Sequence, residues 1–172
     1  MGALILSTLS NANIYVNGIS LLGRAKEIQL PQLKHKMVEH KGLGLAGSPE
    51  LWAGLDKMES KITWSSLHPE VMPAAFNGIT ASQLMVRSDY AQYTSGGMVA
   101  ELPLVALITG TFKESPGGTF KQHEALEPES SLSVTYYMLM LAGIPQIEVD
   151  VLANVYNILG QDQLAQFRAN LG

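Results

Sequence analysis

The chain has 172 residues, of which 47% are hydrophobic and only 15% are charged, with a formal charge of −4 and no cysteine. The length suits a single domain over residues 1–172, and the absence of cysteine excludes disulfides, thiol nucleophiles and thiolate metal sites. The slightly acidic balance argues against a protein that clamps nucleic acid through its phosphates, and so few charges indicate extensive contact with other subunits.

The N-terminal segment carries an apolar patch, Ala3–Leu9, but no basic leader precedes it and polar residues follow at once. We therefore expect no signal peptide. The longest apolar stretch, Val134–Ile144, is shorter than the ~20 residues of a membrane helix, and Gly143 and Pro145 close it. We expect a chain without a membrane anchor that is assembled in the cytoplasm.

Alternation with a period of two residues dominates the chain and predicts half-buried strands. In Asp56–Trp64 the apolar side chains share one face and the charged side chains share the other, and Ile147–Val151 interleaves apolar and acidic residues in the same way. The other predicted strands are Asn13–Asn17, Arg24–Leu33, Lys34–His40, Gln83–Thr94, Met98–Lys113, Thr119–Glu127 and Ser131–Leu141. Turn residues separate them at Asn17-Gly18, Gly42–Pro49, Ser95–Gly97, Ser115–Gly118 and Gly143–Pro145.

Two segments are predicted to be helical, His68–Phe76 and Gln161–Leu171. The second has Arg168 in its final turn and an apolar stripe made of Leu164, Phe167 and Leu171. The predicted fold class is mainly β, an antiparallel β-sandwich or barrel with one or two short α-helices, including a C-terminal helix.

The segment Gly42–Gly47 fits the pattern G-x-G-x-x-G, which in dinucleotide-binding proteins follows a buried parallel strand and opens a helix. The preceding Lys34–His40 is too polar for a buried parallel strand, and Pro49 follows at once. We interpret the segment as the glycine-rich tip of a hairpin.

No constellation of residues predicts catalysis, a metal site or a cofactor. No serine lies in the pattern G-x-S-x-G, and Glu148 with Asp150, like Arg87 with Asp89, is interpreted as a wet strand face or an intersubunit salt bridge. The histidines lack the spacing of a helical metal site and are interpreted as solvated or loop residues: His35, His40, His68 and His123.

Three blocks of sequence together resemble one family. They are Asn13–Gly18 running into Gly23–Leu33, then the charged strand with the glycine-rich loop ending at Pro49, and finally Ser133–Tyr137 followed by Ile147–Ile158 and Gly160–Gly172. The most specific part is the run E-V-D-V-L-A-N-V-Y with the closing helix. This order resembles the major tail tube protein family of contractile-tailed bacteriophages, and of the phage-tail-like bacteriocins derived from them, over nearly the whole chain.

The resemblance implies six copies in a ring, with their sheets joined into one β-barrel around a channel. Stacked rings would form the inner tail tube of a virion, which the contracting sheath drives through the host envelope and through which DNA leaves without specific binding. The implied partners are further copies of the chain, the tail sheath protein, the baseplate, the tail terminator and the tape-measure protein. Joined sheets would also remove exposed strand edges, and few charges suit obligate interfaces.

Two assembly hypotheses follow. Acidic side chains on the channel wall would repel phosphates, since six subunits at −4 each carry about −24, and the candidates are Glu148 and Asp150, with Asp89 and Glu101 as weaker ones. The Lys41–Glu50 loop would form the contact between successive rings, its glycines leaving it free to order on docking. The candidate loop residues are Lys41, Gly42, Leu43, Gly44, Leu45, Ala46, Gly47, Ser48 and Pro49.

Three alternatives remain open. The inner tube of a headless bacteriocin would share the structure but carry no DNA, and a type VI secretion tube would share the architecture. A β-sandwich that binds a small ligand, or a small hydrolase, is the alternative from a different class, because fold does not dictate function. Its sign would be a concave pocket with convergent polar groups in a monomer.

Overall fold

A computed structural model describes residues 4–172, in which twelve strands and two helices follow one another. Residues 1–3, and with them Ala3 of the apolar patch, lie outside the described residues. The strands are β1 (Leu6–Val16), β2 (Ile19–Ser20), β3 (Ala25–Gln29), β4 (His35–Glu39), β5 (Glu50–Leu55), β6 (Met58–Trp64), β7 (Ser82–Thr94), β8 (Gly97–Glu114), β9 (Glu129–Leu141), β10 (Ile144–Asp150), β11 (Val155–Ile158) and β12 (Gln161–Asp162). The helices are α1 (Met72–Ala75) and α2 (Ala165–Leu171), so the predicted mainly β fold with a short C-terminal helix is confirmed.

Ten of these strands form one antiparallel sheet in the order β12-β11-β10-β9-β8-β7-β1-β2, to which β6 and β3 are attached through β9. One edge of β9 pairs with β8. Along its other edge, the first half of β9 pairs with β6 and the second half with β10. β3 pairs with β6, while β4 and β5 form a separate two-stranded sheet.

The branch through β6 carries β3 back over β1, β7 and β8. The strands β1-β7-β8-β9-β6-β3 therefore form a nearly closed barrel, but β1 and β3 do not pair within the part of the chain that is described. A cavity of about 370 Å³ lies in this gap, lined by Ile14, Val86 and Ala106 on one side and by Ala25 and Ile28 on the other. We call the gap between β1 and β3 the seam.

The core fills the space inside this barrel. Alternate residues of β6 are buried, as the sequence pattern predicts, and they include Met58, Ile62 and Trp64. The indole Nε1 of Trp64 donates a hydrogen bond of 2.8 Å to Ser130 Oγ, so this buried donor is satisfied and β6 is tied to β9.

Three hairpins close through two-residue turns with positive φ at both positions: Asn17-Gly18, Ala142-Gly143 and Leu159-Gly160. This is the type I′ pattern, whose twist matches that of antiparallel strands and which favours glycine at the second position. The predicted turn at Asn17-Gly18 is confirmed. Of the predicted turn Gly143–Pro145, Pro145 lies within β10, opposite Met140.

The predicted strand Thr119–Glu127 is wrong, because residues 115–128 form a loop in which Phe120 is exposed and His123 has a positive φ. An alternating pattern makes a strand only where a neighbouring edge is free to pair. Here the edges of β9 are already taken by β8, β6 and β10.

Other predicted boundaries also differ from the structure. Arg24–Leu33 shortens to β3, since Pro31 lacks the N–H that a ladder requires. In the predicted helix Gln161–Leu171, the first residues form β12, and Asp162 Oδ1 accepts a hydrogen bond from the Leu164 N–H, so α2 begins later. β1 begins at Leu6 rather than at Asn13, and β5 and β11 were not predicted as strands.

Replacing Gly110 by alanine should lower the free energy of unfolding by about 1–3 kcal/mol or more, the usual cost of overpacking a core. A Cβ at Gly110 would collide with the backbone oxygen of Ser133, where β8 and β9 approach closely. Urea unfolding measures the change. The control is Gly117→Ala, since a Cβ at Gly117 meets nothing within 4 Å. Equal stability of the two variants would contradict the close approach.

Candidate assembly surfaces

The main sheet has one face that the core does not cover, which we call the open face. Cross-strand partners in an antiparallel sheet share a face, so the register assigns its members. They include Asn13, Tyr15, Gln83, Met85, Arg87, Asp89, Ala91, Glu101, Pro103, Val105, Leu107, Thr109, Tyr136, Met138, Met140, Glu148, Asp150, Val155 and Asn157.

All four predicted acidic residues lie on the open face. Glu148 and Asp150 lie on β10, whereas Asp89 and Glu101 lie further along the β7–β8 hairpin. Among these residues are the four carboxylates and one cation, Arg87. This set of residues therefore has a net negative charge, and the predicted placement of Arg87 and Asp89 on one face is confirmed.

Glu148 and Asp150 also have roles within the chain, which sequence reasoning missed. Glu148 Oε1 accepts a hydrogen bond of 3.1 Å from the Tyr136 hydroxyl, and Oε2 accepts one of 2.9 Å from Asn157 Nδ2. Asp150 Oδ1 accepts bonds of 3.0 Å from the backbone N–H groups of Leu152 and Ala153, which fixes the turn between β10 and β11. Asp89 and Glu101 make no side-chain hydrogen bond within the described residues, so what they contribute to the open face is their negative charge.

The Tyr136 hydroxyl is held neutral in this environment. Partial burial, together with the negative charge of Glu148 and the hydrogen bond to it, raises the pKa of Tyr136 to about 12. A phenolate here would lie against a carboxylate, so the phenol stays a donor and fixes the orientation of Glu148.

The β4–β5 hairpin, residues 35–55, forms an arm. β4 and β5 pair only with each other within the described chain, and every residue of β4 is exposed. At its base Trp52 Nε1 lies 3.2 Å from His35 Nδ1, and the His35 ring lies 6.3 Å from the Tyr156 ring. Its exposed large apolar residues are Met37, Val38, Leu43, Leu45, Leu51 and Trp52. A two-stranded hairpin is marginally stable alone, so these side chains suit a contact with another molecule.

The tip of the arm contains the predicted loop, Lys41–Pro49. It joins two antiparallel strands rather than a parallel strand and a helix, so the interpretation of Gly42–Gly47 as a hairpin tip is confirmed. Leu43 is fully exposed at this tip.

The two lateral ends of the main sheet carry unpaired backbone. β1 pairs with β7 along its length but with β2 only at Tyr15 and Val16, so Leu6–Asn13 presents an edge without a partner strand in the described residues. At the other end β12 has two residues, which pair only with Asn157 and Ile158. Unpaired strand edges are sites at which another chain can pair.

α2 lies at the β12 end and exposes most of its apolar stripe. Leu164 packs against the core, whereas Phe167 and Leu171 are 48% and 66% exposed. Arg168 anchors the helix by donating to the Asn154 backbone oxygen at 2.8 Å and by pairing with Asp162. The Arg168 hydrogen bond holds the pKa of Asp162 below its usual range.

His68, like His35 at the base of the arm, makes side-chain contacts. Arg24 NH1 lies 3.3 Å from His68 Nδ1 and donates to Glu70 at 3.1 Å, and His68 Nε2 lies 3.2 Å from Ser65 Oγ. This network joins the β2–β3 turn to the segment before α1, and its residues are too far apart in sequence for a local motif to reveal it. Within residues 4–172 no group of three or more His, Asp or Glu side chains could hold a metal ion, and no helix is long and apolar enough to cross a membrane.

Comparison with known proteins bears on what these surfaces do. The sequence model of the family "Phage tail tube protein FII" matches residues 7–172. The chain belongs to this tail tube family. It is 31% identical over 166 residues to the tail tube protein of Escherichia phage P2, covering 93% of this chain and 94% of that protein.

The fold of this tail tube protein is also found in a solved assembly. The tube of an extracellular contractile injection system, in its PVC sheath-tube complex in the extended state, is similar with a TM-score of 0.53 and 8% sequence identity. The similarity covers 75% of this chain and 87% of that one. The predicted resemblance to the tail tube family of contractile-tailed phages is confirmed, and the chain is a contractile-tail tube protein.

Tyr136→Phe should reduce the loss of stability at high pH. An unfolded tyrosine releases its proton near pH 10 but folded Tyr136 does so near pH 12, so the unfolded state binds fewer protons in that window. The free energy of unfolding of the wild type should therefore fall more steeply from pH 10 to 12 than that of the variant. Glu148→Gln should make this fall only partly less steep, because burial, the larger cause of the raised pKa of Tyr136, remains. Equal slopes in wild type and Tyr136→Phe would contradict the assigned environment.

Proposed function

We propose that six copies of this tail tube protein form a ring, that rings stack into the inner tube of a contractile tail, and that phage DNA passes through the tube when the sheath contracts. The observation that carries the proposal is the main sheet with an unpaired edge on β1 and only a two-residue strand at the opposite end. Two different edges that meet give a heterologous contact, which closes into a ring when the rotation allows.

The open face is proposed as the wall of the channel. If adjacent sheets join at their lateral ends, the face away from the core becomes the inner surface of one large barrel. The defined face has four carboxylates, Asp89, Glu101, Glu148 and Asp150, against one cation. A negative wall repels phosphates, so DNA would slide through it without being held.

The tip of the arm, Lys41–Pro49, is proposed as the contact between successive rings. The strands of the arm pair only with each other within the described chain, and its apolar side chains are exposed, Leu43 at the tip fully so. Docking against the next ring would bury them and order the glycine-rich tip.

The other proposed partners are the sheath protein, the baseplate, the tail terminator and the tape-measure protein, in a tail assembled in the host cytoplasm. A tube without DNA is the second candidate, because the similar solved tube belongs to an extracellular contractile injection system. Purifying the particles that contain this chain distinguishes the two, since only a phage tail carries a DNA-filled head.

Negative-stain microscopy of the purified full chain tests the proposal. We expect annular particles and short stacks, with six copies per ring by light scattering. A chain that stays monomeric and shows no annular particle at high concentration would overturn the proposed function.

Replacing Gly42–Ser48 with Asn-Gly should leave single rings that do not stack, because the variant loses the apolar tip but keeps both strands of the arm. The matched control replaces Thr119–Ala125, which is equally long and lies in the exposed β8–β9 loop, and should stack normally. Tubes of ordinary length from the tip variant would refute the inter-ring role.

Labelling of single engineered cysteines tests the channel wall, since the chain has no cysteine of its own. Glu101→Cys should react with a bulky maleimide several-fold more slowly in assembled tubes than in dissociated subunits. Lys61→Cys, an exposed position on β6 in the branch attached through β9, should react at similar rates in both states. Protection of Lys61→Cys with free reaction at Glu101→Cys would place the open face outside.

A further inference from the structure

The seam between β1 and β3 is a cavity of about 370 Å³ that the described chain leaves open. Core side chains such as Ile14, Val86 and Ala106 form part of its wall, and polar residues, among them Lys26 and Glu27, also line it. Leu9, which is 54% exposed, lines it at the point where the β1 ladder shifts register between Leu9 and Ala12. The exposed apolar part of this wall costs free energy until an apolar group covers it.

The edges beside the mouth are also incomplete. The outer edge of β1 from Leu6 to Asn13 has no partner strand in residues 4–172, and β3 pairs only with β6. The seam therefore lies at one lateral end of the main sheet.

The opposite end of the sheet presents an apolar projection. α2 follows β12 directly, and its exposed side chains Phe167 and Leu171 are four residues apart, so they lie on one side of the helix. None of the residues of α2 is buried in the single chain. A seven-residue helix is too short to be stable by itself, so this stripe requires a surface to pack against.

We infer that Phe167 and Leu171 of α2 insert into the seam of the neighbouring copy in the ring. The inference rests on the proposed ring, because a heterologous contact brings the β12 end of one subunit to the β1 end of the next. The two features are complementary: one end has an open cavity whose wall includes apolar core side chains, and the other has two large apolar side chains that stay exposed. The occupant is therefore a second copy of this chain, and the contact is the same at every step around the ring.

The projecting arm is the competing occupant. Its base also lies near the β12 end, since His35 and Trp52 line a cavity together with Tyr156 and Leu164. However, its apolar side chains lie on both faces of the hairpin, with Met37 opposite Trp52 and Val38 opposite Leu51, and such a ribbon exposes one apolar face wherever it docks. The single stripe of α2 fits a one-sided cavity better.

Cysteine cross-linking tests this contact with no background, because the chain contains no cysteine. In the double variant Leu9→Cys/Phe167→Cys, mild oxidation of assembled rings should give a ladder of covalent oligomers that reductant abolishes. Disulfides form only when the two Cα atoms come within about 7 Å, so the ladder requires that α2 enters the seam. The control pair Leu9→Cys/Phe120→Cys, with a more exposed aromatic position in the β8–β9 loop, should stay monomeric on the gel.

A second measurement does not depend on disulfide geometry. Phe167→Ala/Leu171→Ala should raise the subunit concentration needed for half assembly by at least about tenfold, the usual loss when interface anchors are removed. Phe120→Ala should leave that concentration unchanged. Circular dichroism of the dissociated subunits checks that both variants fold.

The outcomes separate this inference from the ring itself. Wild-type rings, together with a Leu9→Cys/Phe167→Cys ladder and weakened assembly of the alanine variant, would support it. Wild-type rings with no such ladder and unchanged assembly of the alanine variant, or a ladder from Leu9→Cys/Leu51→Cys instead, would overturn it and leave the proposed function intact. If the wild type forms no rings, both fail together.

Discussion

The rest of the structure depends on the need of backbone N–H and C=O groups for hydrogen-bond partners. Inside the subunit the strands β6 to β11 are paired on both sides, and β9 uses its edges for three neighbours. Unpaired backbone lies on β3, β12 and the β4–β5 arm and on β1 from Leu6 to Asn13, and the free edges of β1 and β3 border an open cavity. Unpaired edges of this kind are sites at which another chain can supply the missing hydrogen bonds.

The acidic residues of β10 show how one strand combines local structure with surface charge. The alternation in β10 sends Val149 into the core and turns Glu148 and Asp150 outward. Both carboxylates then hold local structure, through Tyr136 and Asn157 in one case and through the β10–β11 turn in the other. Changing either one therefore alters the sheet as well as its charge, whereas Glu101 contributes charge alone.

The sequence predicted what local patterning controls. The period-2 pattern of Asp56–Trp64, the Asn17-Gly18 turn and the glycine-rich hairpin tip follow from residues close together in the chain. The false strand at Thr119–Glu127 has the right pattern, but the edges of β9, the next strand along the chain, are already taken by β8, β6 and β10, and which edges stay free is set by the whole topology. The seam was not predictable for the same reason, because β1 and β3 face each other only after the chain passes through β6 and β9.

The weakness of the β12 end has a physical consequence for assembly. A two-residue strand offers few hydrogen bonds, so pairing of backbone edges alone would join subunits weakly and with uncertain register. Short edge strands also protect a free subunit from uncontrolled aggregation. In the proposed ring, affinity would then come from side chains beside the edge, which would also specify one neighbour and one orientation. The cavity beside β1 and the exposed apolar side chains of α2 beside β12 would provide such a contact, since extension of the sheet alone fills no cavity and covers no helix.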